Sequence, residues 1–289
     1  MKKYLFMLAT VAAMFTTVNC PEAKAQNPQQ QRSMRNPMDN FPGEKVYEDE
    51  NVVFHKIEDH VWVGHGNVMA METLYVIEGE EKSVLIDCGT KIDHLNDIVA
   101  KLTQKPLIVL ATHVHPDHVG AVDYFPEVWI NPADTVNVPE FMPNYQGKIN
   151  YLTNGQTFDL GGRTLETFFT PGHTPGSTTF IDKAHHYGFS GDSFGNGNLL
   201  LTTSFSVLKQ TCLAAAEKIQ QDGIEFFYNG HFSGRNAETL QRVNDLVKIC
   251  NEVQSGELQG EDNPNGMIGL NKVITKYGVR VNYADSALK

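Results

Sequence analysis

The residues Thr112–Gly120, with the sequence THVHPDHVG, place three histidines and one aspartate within six positions. The almost entirely apolar residues 106–111 predict a buried strand that delivers this motif to the edge of a sheet. Alternate side chains of an extended segment point the same way, and the turn at Pro116 redirects the last two. Imidazoles and a carboxylate are ligands that zinc and related ions accept, so the motif predicts two neighbouring cation sites. The four candidate ligands are His113, His115, Asp117 and His118.

Three further metal-type residues follow predicted strands elsewhere in the chain. His173 lies in the sequence TPGHTPGS, where proline and glycine on both sides indicate a tight loop after a strand over Thr164–Phe169. Asp192 follows the strand predicted over His186–Ser190, and His231 ends the sequence NGH after another short strand. Four separate strand ends therefore each present a side chain that can bind a metal.

The elements that would position these residues alternate between strands and helices. An antiparallel series of strands is predicted over Val52–Ile57, His60–Gly64, Leu74–Ile77 and Ser83–Cys88. The spacing of apolar residues predicts one helix from Asp93, a second over Ser206–Gln221, and a final helix with Asn236 as its N-cap. Residues Val273–Val281 predict an edge hairpin. Strands and helices in this order indicate two packed sheets with helices outside.

Together these landmarks resemble the metallo-β-lactamase superfamily over roughly Val46–Asn251. Beyond the first motif they comprise LIDCG with Asp87, the hairpin LTNGQTFDLGG, TPGHTPGS, FSGD and NGH. The resemblance implies an α/β fold, a four-layer αββα sandwich with the metals at one edge of the two sheets. It assigns one metal to His113, His115 and His173, the second to Asp117, His118 and His231, and a bridging position to Asp192. Asp87 would orient a ligand histidine by fixing its imidazole tautomer.

The resemblance also implies hydrolysis at a pair of zinc ions, although the ligand types accept iron or manganese as well. A metal-bound water with a pKa of about 7 would supply a bridging hydroxide as nucleophile at neutral pH. The charge of two divalent ions exceeds that of Asp117 and Asp192, so the site would be positive overall. A positive site stabilises a bound anion or a developing oxyanion. We expect cleavage of a small ester, lactone, thioester or β-lactam, with Asp117 passing a proton to the leaving group.

Two positions distinguish the chain from particular branches of this superfamily. Oxygen-reducing diiron members carry glutamate where this chain has His115, and the main β-lactamase classes have cysteine or no protein bridge at the position of Asp192. The bridging aspartate is similar to that of glyoxalase II-like and lactonase-like members. Two other classes stay open: an oxidoreductase with one iron that resembles sulfur dioxygenases, and a catalytically silent metal-binding protein.

Four residues outside the ligand set are candidates for contact with the substrate. His65 lies in an apolar loop predicted over Gly64–Met71, where surface packing is the competing interpretation. Phe194 and Asn196 follow Asp192 in a glycine-rich loop and either line a pocket or turn the chain. Tyr228 precedes His231 on a strand, where a hydrogen bond to an oxyanion competes with a place in the core.

The N-terminal residues 1–25 predict a secretory signal peptide, with a basic start, an apolar run and a small-X-small cleavage site. A lipoprotein acylated at Cys20 is the competing interpretation, which the large residue before that cysteine disfavours. Residues 26–45 are rich in glutamine, asparagine, proline and arginine and predict a disordered leader. The folded domain would then span residues 46–289 of an exported protein, either periplasmic or secreted.

The chain is acidic, with a formal net charge of −11, or −13 once the predicted signal peptide is removed. It therefore has no basic excess to attract nucleic acid or an anionic membrane, and a small molecule, favoured as an anion by the metals, is the expected partner. The apolar N-terminal run is shorter than the roughly 20 residues of a membrane span. The three remaining cysteines, an odd number in an exported protein, argue against a disulfide framework.

Overall fold

The first metal-type motif follows an interior strand of an eight-stranded sheet, in the computed structural model that describes residues 41–68 and 71–289. The strands lie side by side in chain order, antiparallel from β1 to β5 and parallel from β5 to β8. They are β1 (Glu44–Glu48), β2 (Val52–Glu58), β3 (Val61–Gly66), β4 (Thr73–Glu78), β5 (Ser83–Ile86), β6 (Leu107–Leu110), β7 (Glu127–Ile130) and β8 (Lys148–Tyr151).

Three helices accompany this sheet: α1 (Leu95–Leu102), α2 (Pro116–Val119) and α3 (Val138–Phe141). Helix α1 buries Leu95, Ile98 and Val99, which recur at the helical period on one face. These side chains join a core cluster with apolar residues of the sheet, among them Val76 and Leu85. The parallel strands β5 and β6 are connected through α1, and this crossover leads directly to the first motif.

A second sheet has five strands in the order β14-β12-β11-β10-β9, and a third has four in the order β13-β17-β16-β15. The five are β9 (Thr157–Asp159), β10 (Thr164–Phe169), β11 (Thr178–Asp182), β12 (Tyr187–Gly191) and β14 (Phe226–Asn229). The four are β13 (Asn198–Leu201), β15 (Glu261–Asp262), β16 (Lys272–Lys276) and β17 (Val279–Tyr283). Helices α4 (Phe205–Asp222) and α5 (Leu240–Ser255) share one core cluster with residues of both sheets.

The α/β class and the two main sheets with helices are confirmed, and two details of the prediction are wrong. Strand β17 pairs with both β13 and β16, and β16 pairs with β15, so the two strands of the C-terminal hairpin are the interior strands of a third sheet. The last helix begins at Leu240 after Thr239, and Asn236 is not its N-cap. The reason is that Asn236 stabilises the preceding loop, accepting from the Ser233 backbone N–H at 2.6 Å and donating to the His231 carbonyl at 3.0 Å.

The structured part begins earlier than residue 46. Strand β1 starts at Glu44, and Phe41 is buried with its ring 4.5 Å from that of His65 and 5.9 Å from that of Phe232. The proposed signal peptide, Cys20 and most of the proposed leader lie outside the described residues. Within residues 41–68 and 71–289, no helix has both the length and the apolar character needed to cross a bilayer. The three cysteines of this part of the chain are free and buried.

Candidate metal centre

The first motif leaves β6 as extended chain and then turns into α2. His115 is extended, with φ −125° and ψ 158°, and Pro116 occupies the first turn of the short helix. Proline fits there because a backbone N–H at this position would have no acceptor within the helix, so its absence costs nothing. His113 and His115 consequently face one side, and the helical turn brings Asp117 and His118 to a neighbouring position. The backbone therefore divides the motif into two halves.

One half joins His173 to form a group of three converging ring nitrogens. His173 Nε2 lies 3.1 Å from His113 Nε2 and 2.9 Å from His115 Nδ1, and the last two atoms are 3.1 Å apart. His173 Nδ1 donates to the Leu200 carbonyl at 2.8 Å, which leaves the Nε2 lone pair directed at the other two rings. Nitrogens about 2.0–2.1 Å from one tetrahedral zinc ion lie about 3.3 Å apart, so this spacing fits such an ion.

The other half joins His231 to form the second group. Asp117 Oδ2 lies 3.8 Å from His118 Nε2 and 3.6 Å from His231 Nε2. Asp192 lies between the groups: its oxygens are 3.6 Å from His118 Nε2, 3.8 Å from His173 Nε2 and 3.3 Å from His231 Nε2. All seven residues that the sequence singled out as ligands are thus brought together.

A glycine permits this close approach. A Cβ atom on Gly230 would lie 2.3 Å from Asp192 Oδ1 and 2.6 Å from His118 Cε1. Both distances are shorter than any normal contact of a Cβ atom, so a side chain here would displace the two ligands. Gly230 also holds the loop through its backbone, because its N–H donates to the Gly191 carbonyl at 2.8 Å and its carbonyl accepts from the Thr73 N–H at 2.7 Å. The glycine of the NGH sequence is therefore a packing requirement of the site.

The charges of the site favour bound cations. Burial lowers the pKa of His115 to about 3, so this ring is neutral at physiological pH and its lone pair is free to bind a metal. Burial also disfavours a charge on His118, yet the carboxylates of Asp87, Asp117 and Asp192 outweigh that effect and raise its pKa to about 10. Nε2 of His118 is buried without a hydrogen-bond partner. A position that stabilises positive charge and holds an unpartnered ligand atom fits a metal ion.

Asp87 holds two of the ligand histidines. Its Oδ2 accepts from His118 Nδ1 at 2.8 Å and from the Thr112 hydroxyl at 2.8 Å, while Oδ1 accepts from the Thr112 N–H at 2.7 Å. The Thr112 oxygen in turn lies 3.1 Å from His113 Nδ1. Since the hydroxyl donates to Asp87, it accepts from His113. One carboxylate thereby orients a ligand of each group, directly for His118 and through Thr112 for His113.

Asp134 is a functional residue that the sequence analysis missed. It is fully buried and accepts from the Val114 N–H at 2.8 Å, the Thr174 hydroxyl at 2.9 Å and the Gly176 N–H at 2.7 Å. Burial raises the pKa of Asp134, and these hydrogen bonds counteract the shift. The carboxylate clamps the first motif to the loop of His173. The only signal in the sequence is an aspartate after the strand β7, a position that loops commonly fill with polar residues.

A cavity of about 420 Å³ opens above the ligands and is lined by Asp117, Asp192 and His231, among others. Asn196 lines it, as proposed from the sequence. The other three substrate candidates do not. His65 lies on β3, buried, with Nε2 2.8 Å from the Phe232 carbonyl, because the strand extends into the segment predicted as a loop. Phe194 is fully buried and stacks on a core phenylalanine, and Tyr228 stacks on Phe189.

The comparisons with known proteins agree with this geometry. A family model described as the metallo-beta-lactamase superfamily matches residues 71–231, more than half of the chain. Acyl-coenzyme A thioesterase MBLAC2 of Homo sapiens is 27% identical over 228 residues, which cover 63% of this chain and 82% of the relative. Atrochrysone carboxyl ACP thioesterase of Aspergillus fumigatus is 29% identical over 177 residues, covering 58% of this chain and 52% of the relative.

A solved structure, the metallo-beta-lactamase from Pontibacter korlensis, matches with a TM-score of 0.55 and 15% identity, covering 69% of this chain and 99% of that one. At this identity the match concerns the fold, which it supports over nearly the whole of the known structure. The region matched by the family model begins just before β4 and ends at His231, so it contains all seven converging residues. The chain belongs to the metallo-beta-lactamase superfamily and is a metal-dependent hydrolase.

Proposed function

We propose that the protein is a dinuclear zinc hydrolase that cleaves a small ester, lactone, thioester or β-lactam. The observation that carries this proposal is the pair of ligand groups, His113, His115 and His173 in one and Asp117, His118 and His231 in the other. Asp192 lies within 4 Å of ring nitrogens from both groups, which is the position of a ligand shared by two ions.

When bound, two zinc ions supply a hydroxide nucleophile at neutral pH and positive charge for a developing oxyanion. The protein's own residues would keep the ligands in order. His173 Nδ1 is bound by the Leu200 carbonyl and His118 Nδ1 by Asp87. In both rings Nε2 is therefore left to bind a metal. Asp117 lines the cavity, where its carboxylate would pass a proton to the leaving group.

Asp192 is ionised in this arrangement. Burial would raise the pKa of its carboxyl, but His231, His118 and His173 hold that pKa well below the ordinary value. A carboxylate whose pKa is lowered in this way is suited to a permanent metal ligand rather than to proton transfer. Of the two aspartates that line the cavity, this leaves Asp117 for proton transfer.

Two observations support an acyl compound as substrate. Both curated relatives described above are named thioesterases, and the side chains that line the cavity include apolar ones next to the metal ligands. A carbonyl carbon held beside the ligand groups would have its acyl chain and its leaving group on opposite sides. The thioester and the carboxyl ester fit this arrangement most simply.

The proposal is tested by hydrolysis rates of the purified, zinc-loaded protein on matched β-lactam, lactone, thioester and carboxyl ester substrates. Asp117→Ala is the test variant, and Asp123→Ala, which removes an exposed carboxylate outside the cavity, is its control. A preference of about a thousandfold for one class, equivalent to about 4 kcal/mol in the transition state, would define the reaction. Wild-type rates no higher than the uncatalysed reaction on every substrate would refute hydrolysis, and equal rates above background for wild type and Asp117→Ala would refute the role of Asp117. Iron content with oxygen uptake on a persulfide would indicate the sulfur dioxygenase-like alternative.

We further propose that the protein is exported, on the basis of its N-terminal sequence. The N-terminal residue of the protein isolated from its native cells distinguishes the alternatives. Gln26 at the N-terminus would agree with cleavage of a signal peptide, an acylated Cys20 would identify a lipoprotein, and an intact Met1 would contradict export through either route.

A further inference from the structure

The residues that line the cavity include large apolar side chains next to the metal ligands. Phe141 packs edge-on against His115, with the ring centroids 5.5 Å apart, and Leu200 is the residue whose carbonyl accepts from His173. Both side chains line the cavity. The apolar surface therefore starts at the ligands themselves.

Met267 and Ile268 line the same cavity. These side chains are 66% and 60% exposed, and adjoining exposed apolar side chains mark a surface that contacts a ligand. They lie outside the residues matched by the family model, in the segment that precedes β16. We call Phe141, Leu200, Met267 and Ile268 the apolar wall.

The backbone of Ile268 is strained, although a less bulky residue could relieve the strain. Ile268 has φ +48° and ψ +32°, a left-handed conformation that β-branched residues rarely adopt and that glycine or asparagine adopts easily. The turn is nevertheless well tied down, because the Leu270 N–H donates to the Met267 carbonyl at 2.9 Å and Leu270 is buried. Strain that the surrounding structure maintains at a functional site points to a use for the side chain.

Away from the metal ligands, the carboxylate of Glu140 disfavours a negative charge on an acyl chain that lies beside Phe141. Among the described residues that line the cavity there is no lysine or arginine, and Glu140 adds a negative charge next to Phe141. The amides of Asn196 and Asn198 line the cavity too and provide polar contacts for a leaving group. A carboxylate or phosphate on an acyl chain beside Phe141 would face the negative charge of Glu140.

We propose that the substrate carries an uncharged, straight acyl chain that lies along the apolar wall, with the scissile carbonyl at the metal centre. This inference rests on the proposed function and specifies its substrate class. Full burial of a methylene contributes a factor of about four in affinity, and a wall open to solvent on one side should give about half of that free energy. We therefore expect kcat/KM to rise about twofold for each added methylene.

The experiment compares 4-nitrophenyl esters of butanoic, hexanoic and octanoic acid. From butanoyl to octanoyl the wild type should gain about 15-fold in kcat/KM. Ile268→Gly relieves the strained backbone while removing the side chain, so it should keep the fold and reduce this gain to less than about fivefold. Leu288→Ala removes an exposed apolar side chain outside the cavity and should leave the gain unchanged. An equal gain in Ile268→Gly and wild type would overturn the proposal.

The charge selection has its own test. An ester of a dicarboxylic acid with a free terminal carboxylate should react more slowly than the octanoyl ester. Glu140→Gln should raise its rate about threefold, an effect that added salt would weaken. If the ester with a free carboxylate is preferred by the wild type, the acyl side is not an apolar site.

Two further measurements separate failure of this inference from failure of the proposed function. Hydrolysis of all three esters at one rate refutes the apolar wall and leaves the hydrolase intact. Absence of all hydrolysis refutes the hydrolase, and calorimetry then tests the wall alone: the wild type should bind 1-octanol at least about tenfold more tightly than 1-butanol, and Ile268→Gly should lose this difference. If Ile268→Gly instead converts a dimer to a monomer in light scattering, the wall is an interface between two copies and the proposal fails.

Discussion

Replacing Asp87 with asparagine separates the orientation of the ligand histidines from the rest of the fold. The residue has φ +63°, a conformation that asparagine adopts as readily as aspartate, so the backbone is not strained by the change. The carboxylate accepts three hydrogen bonds, two from Thr112 and one from His118. The amide of the same shape has one oxygen and one donor group in place of two oxygens.

Neither orientation of the introduced amide restores these contacts. With its oxygen toward the Thr112 N–H, the amide donor faces His118 Nδ1, and the ring must then carry its proton on Nε2, the atom that faces the metal site. With its oxygen toward His118, the amide donor faces the Thr112 N–H. Each arrangement leaves one buried donor unsatisfied, at a cost of about 1–3 kcal/mol. We expect zinc affinity at the group containing His118 to fall about 10- to 100-fold.

The assay is competition for zinc between the protein and a chelator, together with urea unfolding of the zinc-free form. Asp123→Asn, at an exposed carboxylate, is the matched control and should bind zinc as the wild type does. If the Asp87→Asn protein binds zinc with wild-type affinity, the carboxylate does not orient His118. If only the zinc-free stability falls, Asp87 is a structural residue.

Three further predictions concern buried polar groups, and urea unfolding measures each of them. Arg163→Met should destabilise the protein by about 3 kcal/mol, since Asp182, 2.6 Å from the Arg163 Nε, would lose its buried cationic partner and keep only His185 beside it; a loss below about 1 kcal/mol would contradict this. Asp134→Ala should cost at least about 3 kcal/mol and weaken zinc binding, because it leaves the two backbone N–H donors of the clamp unpartnered; unchanged zinc affinity would show that the clamp is not needed. Burial lowers the pKa of His65 from 6.5 to about 4, so the unfolded chain takes up a proton first and stability should fall by about 3 kcal/mol as the pH drops from 6.5 to 4. His65→Gln keeps a donor for the Phe232 carbonyl and should flatten this dependence; a profile identical to the wild type would refute it.

The ligand set could be predicted from the sequence because each member follows a strand whose apolar pattern is local. The run 106–111 predicts β6, and the proline and glycine residues around His173 predict the loop after β10. Ligands at strand ends of one sandwich then meet at one edge. The proximity of His173 to His113, 60 residues apart in the chain, could be predicted from the order of the strands and the resemblance to a family.

The residues that were missed or misplaced depend on contacts between distant parts of the chain. Asp134 is informative only once the loop of His173 packs against it, and nothing in its neighbours in the sequence indicates this. His65 was assigned to a loop because glycines surround it, whereas pairing with β2 and β4 keeps it in a strand and buries it. Met267 and Ile268 reach the cavity because β17 pairs with β13, a long-range register that periodicity does not reveal.

The most direct test of the dinuclear centre is a zinc titration of the chelator-stripped protein, with bound zinc and ester hydrolysis measured at each addition. We predict that bound zinc saturates at about two equivalents, and that hydrolysis requires the ligands of both groups, so that His173→Ala and His231→Ala each abolish it. Saturation at one equivalent, with full hydrolysis retained by His231→Ala, would contradict a centre built from both groups.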